Sequence, residues 1–249
     1  TSQNVGKNIR IDANLKYLLE DQSGNPRLSD GPGNANWIIN HTSPSVDVNW
    51  GKGPNGDGRN DDLSEYQMTP SIYIQNPWFA QNYYVNDSEK ERFIGSINMR
   101  WDLTDWLYAR ARVGADRYDL HRTQSEPFGT GYKPKGGINH YKLAFKQFDS
   151  DFFLGTDNLS LTDDVALTAF VGVGSNVQEA ESVSINGNDF IVPGLVSINN
   201  VANKSAGYGY SKKQINSAYG SAELGFQDYA FLTVTARNDW FSTLSLAGK

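Results

Sequence analysis

Between residues 92 and 103 the chain changes polarity at almost every step. Phe93, Gly95, Ile97, Met99, Trp101 and Leu103 hold the odd positions, while Arg92, Ser96, Asn98, Arg100 and Asp102 hold even ones. Successive side chains of a strand point to opposite faces, so this run predicts a strand with one apolar and one polar face. At about twelve residues it is long, since strands of soluble domains centre on roughly 5–6. The rule recurs. Ile9, Ile11, Ala13, Leu15 and Tyr17 alternate with Arg10, Asp12, Asn14 and Lys16, and Leu107, Ala109, Ala111, Val113 and Ala115 with Tyr108, Arg110, Arg112, Gly114 and Asp116. Val165, Leu167, Ala169, Val171 and Val173 form one face of another run. Ala218, Ala222, Leu224 and Phe226 oppose Ser217, Ser221 and Glu223, and Leu232, Val234 and Ala236 oppose Thr233, Thr235 and Arg237. A weaker run covers 141–154. The prediction is about seven strands, at 8–19, 92–103, 107–118, 141–154, 165–177, 215–226 and 229–239.

The connections carry the second signal. They cover 20–91, 104–106, 119–140, 155–164, 178–214 and 227–228, so long and short alternate strictly. In an up-and-down barrel every second connection lies on the same side, and outer-membrane barrels have short periplasmic turns and long extracellular loops. The expected fold is therefore all-β, an antiparallel up-and-down transmembrane β-barrel segment. Segments 20–91, 119–140 and 178–214 are expected outside the cell, and the turns near 105, 160 and 228 in the periplasm. Trp106, Tyr108, Phe152, Phe153, Phe226, Tyr229 and Phe231 near the short turns suit an interfacial girdle, although Tyr108 and Phe231 fall on the polar face. Seven strands do not close easily, which suggests a segment of a larger barrel.

Composition excludes several classes. Only 38% of residues are hydrophobic and mean hydropathy is −0.55, yet a barrel needs apolar residues only at alternate positions. No stretch approaches the roughly 20 apolar residues of a membrane-spanning helix. Net charge is −6, which argues against a nucleic-acid partner. Without cysteine there is no disulfide framework and no thiolate metal site. No basic-then-apolar leader opens the chain, so no signal peptide is expected within it. The rival class is a secreted, non-transporting β-sandwich that binds glycans through loop aromatics; it would express without detergent, whereas a barrel piece would not.

Particular residues then point to a family. Asn216 to Ala222, followed by Asp228-Tyr229-Ala230-Phe231-Leu232 and Thr235-Ala236-Arg237-Asn238-Asp239-Trp240-Phe241-Ser242-Thr243-Leu244, resembles the SusC/RagA-type TonB-linked outer-membrane proteins of Bacteroidetes. There a hairpin runs into an R-N-D-W-S-S-T-L-like end, and Phe241 stands in place of the first serine. Asn76-Pro77-Trp78-Phe79 before Glu91-Arg92-Phe93-Ile94-Gly95 resembles an N-P-[YW] segment entering a barrel strand. Ile191-Val192-Pro193-Gly194-Leu195 with Asn199-Asn200 resembles a V-P-G…N loop. The resemblance implies a 22-stranded barrel with a plug, importing oligosaccharides, peptides or similar nutrients. It implies energy from TonB with ExbB and ExbD, a SusD-like lipoprotein over the extracellular mouth, and surrounding outer-membrane lipid. Residues 1–249 would be a middle portion of the barrel, with signal peptide, plug and C-terminal strands absent.

Candidate site residues lie mainly on the polar face. If the 103–107 hairpin centres on Asp105, paired residue numbers sum to 210, so Arg100 faces Arg110 and Asn98 faces Arg112. Like charges directly opposite are unfavourable. Asp102 is placed to answer one arginine and Asp116 to answer Arg112; the remaining charge is left for lumen water or a plug carboxylate. Arg100, Arg110, Arg112, Asp102 and Asp116 are thus the expected lumen- or plug-facing set. Trp37, Trp50, Trp78, Tyr132, Tyr208 and Tyr210 are predicted loop aromatics that stack on sugars, contact the lid or pack within the loops. His41, His121 and His140 share no metal-binding spacing, although the last two bracket one predicted loop. Gly53 to Asp62 partly resembles a calcium loop through Asn55, Asp57 and Asp61, but Gly53 brings no ligand to position one and no Glu stands at twelve. Gly129-Thr130-Gly131 and Gly172-Val173-Gly174 are lone glycine pairs, the second inside a strand where backbone or plug approaches closely. No Ser/His/Asp set or close carboxylate pair appears, so neither an enzyme nor a cofactor is expected.

Overall fold

The computed structural model describes residues 2–30, 32–227 and 229–243. One antiparallel sheet of eight strands dominates it: β1 (Ser2–Val5), β2 (Ile9–Gln22), β3 (Val85–Asp102), β4 (Tyr108–Glu126), β5 (Gly137–Ser160), β6 (Val165–Phe190), β7 (Val201–Phe226) and β8 (Ala230–Phe241). Every strand pairs with its neighbours in sequence, so the sheet is up-and-down, and β1 and β8 are its open edges. The expected seven strands are all present. The short strand β1 makes eight among the described residues, so the odd-number argument does not hold. The Gln227–Asp228 turn lies partly outside the described residues, as does Leu244.

The expected long connections are too long. Strands β4 and β5 run on until only 127–136 joins them, and β6 and β7 until only 191–200 is left. Strand β5 also passes 154 to reach Ser160, with a register irregularity between Thr156 and Leu159. The extensions escape the period-two signal because both of their faces are polar. Gln178↔Lys213 and Glu179↔Lys212 are facing pairs, one on each side of the sheet. Long and short connections still alternate: 23–84, 103–107, 127–136, 161–164, 191–200 and 227–229.

The register sorts side chains as the alternation predicts. One row of the apolar face reads Ile11, Met99, Ala111, Phe152, Val173 and Ala218 across β2 to β7. Among the described residues no second sheet covers them. Leu15, Val171 and Leu232 are 68%, 67% and 64% exposed.

The upper border of the apolar face is slanted. Toward the long connections, each apolar run ends at its first charged or amide residue: Asp21, Glu91, Arg117, Lys146, Glu179, Asn216 and Asn238 on β2 to β8 in turn. Asp21 shares a row with Val183, through Glu89, His121 and Lys142. Asn238 shares a row with Val173, through Ala218. The border therefore falls ten residues of β6 (183 minus 173) over the six steps from β2 to β8. At ~3.3 Å per residue and ~4.8 Å between strands, that is ~33 Å over ~29 Å, so the strands are inclined by roughly 45–50° to the normal of the apolar belt.

Burial concentrates above the belt. Connection 23–84 contains helices α1 (Ala35–His41) and α2 (Pro77–Tyr83) and a 3-10 turn at Val48–Lys52. Asn34 and Asn76 cap the two helices, and Pro77 opens the second. That helix stands where the sequence suggested direct entry into a strand; Asn followed by Pro is a helix-start signal. Ile38, Phe79, Ala80, Gln75 and Asn76 are buried there, and Ile138, Phe190 and Val201 form a small core at the strand ends beside it.

Candidate functional site

The polar face is an ordered charge network. Arg10, Arg100 and Arg110 stand side by side in one row across β2, β3 and β4, and Asn98 faces Arg112. Asp102 and Asp157 accept hydrogen bonds from Arg100 at 2.9 and 2.8 Å, and Asp12 pairs with Arg10. Asp116 does not answer Arg112, as the sequence suggested; it takes Arg92 through two bonds, at 2.9 and 2.5 Å. Arg112 instead donates to Asp151, at 2.6 and 3.1 Å. Paired carboxylates from β5 thus replace the missing counter-charges. The weak alternation of 141–154 had hidden them, because Phe153 and Asp151 share the polar face. Arg110 lies over the Phe153 ring, 5.7 Å from its centroid, and forms no ion pair among the described residues.

An aromatic ladder crosses the same face near the short turns. Tyr108, Phe153, Phe170 and Tyr219, on β4 to β7, meet at successive centroid distances of 6.3, 5.6 and 6.1 Å. The outer contacts are edge-on, the arrangement aromatic quadrupoles favour. Arg100 covers Tyr108 at 4.0 Å and Arg237 lies 5.6 Å from Tyr219. Glycines make the slots. A Cβ at Gly155 would sit 2.6 Å from the Tyr108 hydroxyl, and one at Gly172 would meet Phe153 and Tyr219. Gly172 and Gly174 therefore admit neighbouring side chains of this chain: the Asp151 carboxylate fills the second gap. Tyr108, out of place in an apolar girdle, is explained by this ladder. Arg237 and Asp239 of the R-N-D-W run join the face by bonding each other and Ser217, while Asn238 and Trp240 point to the apolar side.

The second region is the cap formed by connection 23–84 on loop 127–136. Glu65 is its pivot, 3% exposed. Its carboxylate accepts from the backbone N–H of Asn76 and, at 2.9 Å, from that of Gly131. Burial pushes this carboxyl above the usual range against those bonds. Glu126 is opposite. Burial raises it too, but bonds from Lys133 (2.8 Å) and Tyr132 (2.7 Å), with the Arg27 charge nearby, leave it below its ordinary value. Gly129 permits the contact: its φ is +92°, and a Cβ there would lie 2.1 Å from the Leu63 carbonyl oxygen. Asn76 bonds the carbonyls of Gly51 and Tyr66, at 2.5 and 2.8 Å, joining three segments through one side chain.

The predicted loop aromatics separate into two groups. Trp78 donates to the Val48 carbonyl and carries Lys52 over its ring, Tyr132 bonds Glu126 and stacks near Tyr73, and Trp37 stacks on His41. These three pack the cap. Trp50 meets Tyr66 edge-on but stays 54% exposed. Tyr208 and Tyr210 are not in a loop; they stand exposed on β7, on the apolar side of the sheet above the belt. His121 and His140 likewise lie on β4 and β5, not in a loop. Of the calcium candidates, Asp57 accepts from the Tyr83 hydroxyl and the Arg59 N–H, and Asn55 donates to the Arg59 carbonyl, so local bonds occupy them. Asp61 lies exposed in the adjacent turn.

No protein-family model and no curated protein matches the chain. Solved structures do. The chain is similar to the RagAB peptide transporter, with TM-score 0.69 and 16% identity over 99% of this chain and 27% of that one. It is similar to the RagAB peptide importer in its closed-closed state (0.70, 16%, 99% and 27%) and in its open-open state (0.67, 14%, 97% and 26%). The chain thus spans about a quarter of the length of those chains. At this identity the likeness is one of fold: an all-β, up-and-down segment of the transporter's architecture.

Proposed function

We infer that this chain is a wall segment of an outer-membrane, TonB-dependent nutrient importer. The observation that carries the reading is the slant of the apolar belt. Barrel strands tilt by roughly 35–45° to the membrane normal, and strands inclined by roughly 45–50° to the normal of their apolar belt are close to what a tilted wall presents to a flat hydrocarbon layer. A sandwich would cover that face with a second sheet, and among the described residues there is none. The apolar face meets lipid, the polar face lines the lumen, and connections 23–84, 127–136 and 191–200 are extracellular.

In this reading the arginine row and aromatic ladder face a plug, and Arg110, without an ion pair among the described residues, awaits a plug carboxylate. The importer is powered by TonB with ExbB and ExbD and works with a SusD-like lipoprotein. The cargo is an oligosaccharide, peptide or similar nutrient, with peptide supported by the named activity of the RagAB structures. The test is single-cysteine labelling of the full-length protein in intact cells with a membrane-impermeant maleimide. Asn199→Cys should label and Asp105→Cys only after permeabilisation; the reverse pattern would invert the topology, and equal labelling of Leu15→Cys would remove the lipid face.

A further inference from the structure

The polar face carries one apolar island. In the run 141–154, Leu143 and Phe145 alternate with Lys142 and Lys146, and the register turns the lysines to the side of the belt and Leu143 and Phe145 to the polar side. There they pair with Leu120 and Tyr118 of β4, and all four are half-buried. Tyr118 and Phe145 stack, with centroids 5.0 Å apart and rings 22° from parallel. Toward β3 the island is bordered by Lys90 and Arg92, 5.4 and 5.9 Å from the Tyr118 centroid. Toward β6 and β7 the same rows continue in Ala180, Ser182 and Gly209. Large side chains beside small ones leave a step along the strands, walled by Leu143 and the free face of Phe145.

The island stands apart from the surface proposed for the plug. Leu120 and Leu143 share the row of Ser182, whereas Arg110 and Phe153 share that of Gly172, ten residues lower on β6 (182 minus 172). At ~3.3 Å per residue the two lie ~33 Å apart along the strands, with the island nearer the long connections. In a closed barrel this face is interior, out of reach of a second copy. The chemistry narrows the occupant further. Sugar hydroxyls laid on Leu120, Leu143 and Ala180 would find no hydrogen-bond partner, whereas an apolar side chain needs none. One cation beside the island is free to answer an anion. Lys90 pairs with Glu20 at 3.5 Å and Arg92 with Asp116, but Arg122, 5.2 Å from the Tyr141 centroid, forms no ion pair among the described residues. Arg122 is two residues from Leu120, ~7 Å along the strand, about the span from a side chain to the carboxylate of one terminal residue. Beyond it Gln124, Asn139 and Asn186 form a row of amides, the complement of a peptide backbone and not of a hydrocarbon tail.

We propose that Leu120, Leu143, Phe145 and Arg122 form a lumen subsite for the C-terminal residue of a short peptide, with its apolar side chain on the island and its carboxylate on Arg122. This rests on the importer reading and narrows its cargo. The test titrates the full-length transporter, purified in detergent, with Ala-Ala-Ala-Leu, its C-terminal amide and Ala-Ala-Ala-Ser, read by calorimetry. The wild type should bind the free leucine peptide at least tenfold more tightly than either of the others. Arg122→Gln should erase the preference for acid over amide and keep that for leucine over serine. Leu120→Ser/Leu143→Ser should do the reverse, with heat-modifiable gel mobility showing an intact barrel in both variants. Binding without these preferences, or preferences that both variants keep, overturns the subsite. Absence of binding overturns it too, and the cysteine-labelling pattern then tells whether the importer reading survives. Loss of barrel mobility in the leucine variant, with both preferences kept by Arg122→Gln, overturns it in favour of packing by the plug. Displacement of the peptide by a neutral malto-oligosaccharide overturns it in favour of a sugar.

Discussion

The sheet and the cap are stabilised in opposite ways. In the sheet, apolar residues such as Leu15, Val171 and Leu232 are exposed, and cohesion comes from continuous ladders of backbone hydrogen bonds with a charge network on one face. In the cap, short irregular segments bury a few residues completely, and single polar side chains such as Glu65 and Asn76 replace a ladder. In the proposed wall segment, a sheet that is apolar toward its surroundings relies on lipid in place of water. A cap that buries its own core and satisfies its own backbone is built for water. In the importer reading, lipid around the sheet and water around the cap account for the change of construction near the row of Arg117, Lys146 and Glu179.

The largest expected effect tests the cap. Glu65→Ala leaves two backbone N–H groups without an acceptor, at about 1–3 kcal/mol each, so hydrogen exchange of 72–76 and 127–136 should accelerate strongly while the sheet amides stay protected. Uniform loss of protection would mean that the regions are not independent. Next comes the sheet. Ala111→Arg, on the apolar face, should cost about 2–4 kcal/mol if it sits near the bilayer midplane. Gly114→Arg should cost less than about 1 kcal/mol, because a Cβ at Gly114 would make only ordinary van der Waals contacts, with Asp149 and the Gly95 carbonyl oxygen at 3.8 Å. Equal costs in urea titrations of the barrel would refute the assignment of faces.

Tyr108→Leu is smaller. It removes the edge-on contact with Phe153 and the Arg100 stack, for a loss of about 1 kcal/mol without change in the cap. A loss above about 3 kcal/mol would make the ladder a main support of the sheet. The smallest effect is in pH. Glu126 has a folded value below its unfolded 4.5, so its contribution is present above about 4.5 and is lost as pH falls through the lower folded value. Glu65 is raised, so its contribution runs the other way, lost as pH climbs from 4.5 through the folded value. Glu126→Gln should flatten the acid limb of cap protection, measured by exchange between pH 3 and 5, and leave the limb above 4.5 to Glu65. An unchanged acid limb would remove Glu126 as its source.

Much of this was legible in the residues, and the rest was hidden for definable reasons. Alternation in 92–103 and 107–118 located β3 and β4, and the 210 sum located their register, because the side-chain period of a strand is two and a short hairpin leaves few ways to pair. The true lengths of β4 to β7 were hidden, because above the belt both faces are polar and alternation vanishes although the ladder continues. The helices in 23–84 had cap signals at Asn34 and Asn76, too brief to outweigh a long polar stretch.

The sorting of residues into an apolar and a polar face was readable from the chain alone, because it is local stereochemistry repeated every second residue. Tertiary structure alone decided the partners. That Asp116 takes Arg92 while Asp151 takes Arg112, and that Gly172 admits Tyr219, depends on how far each strand slides against the next. That sliding is summed over the whole sheet, and no window of the chain contains it.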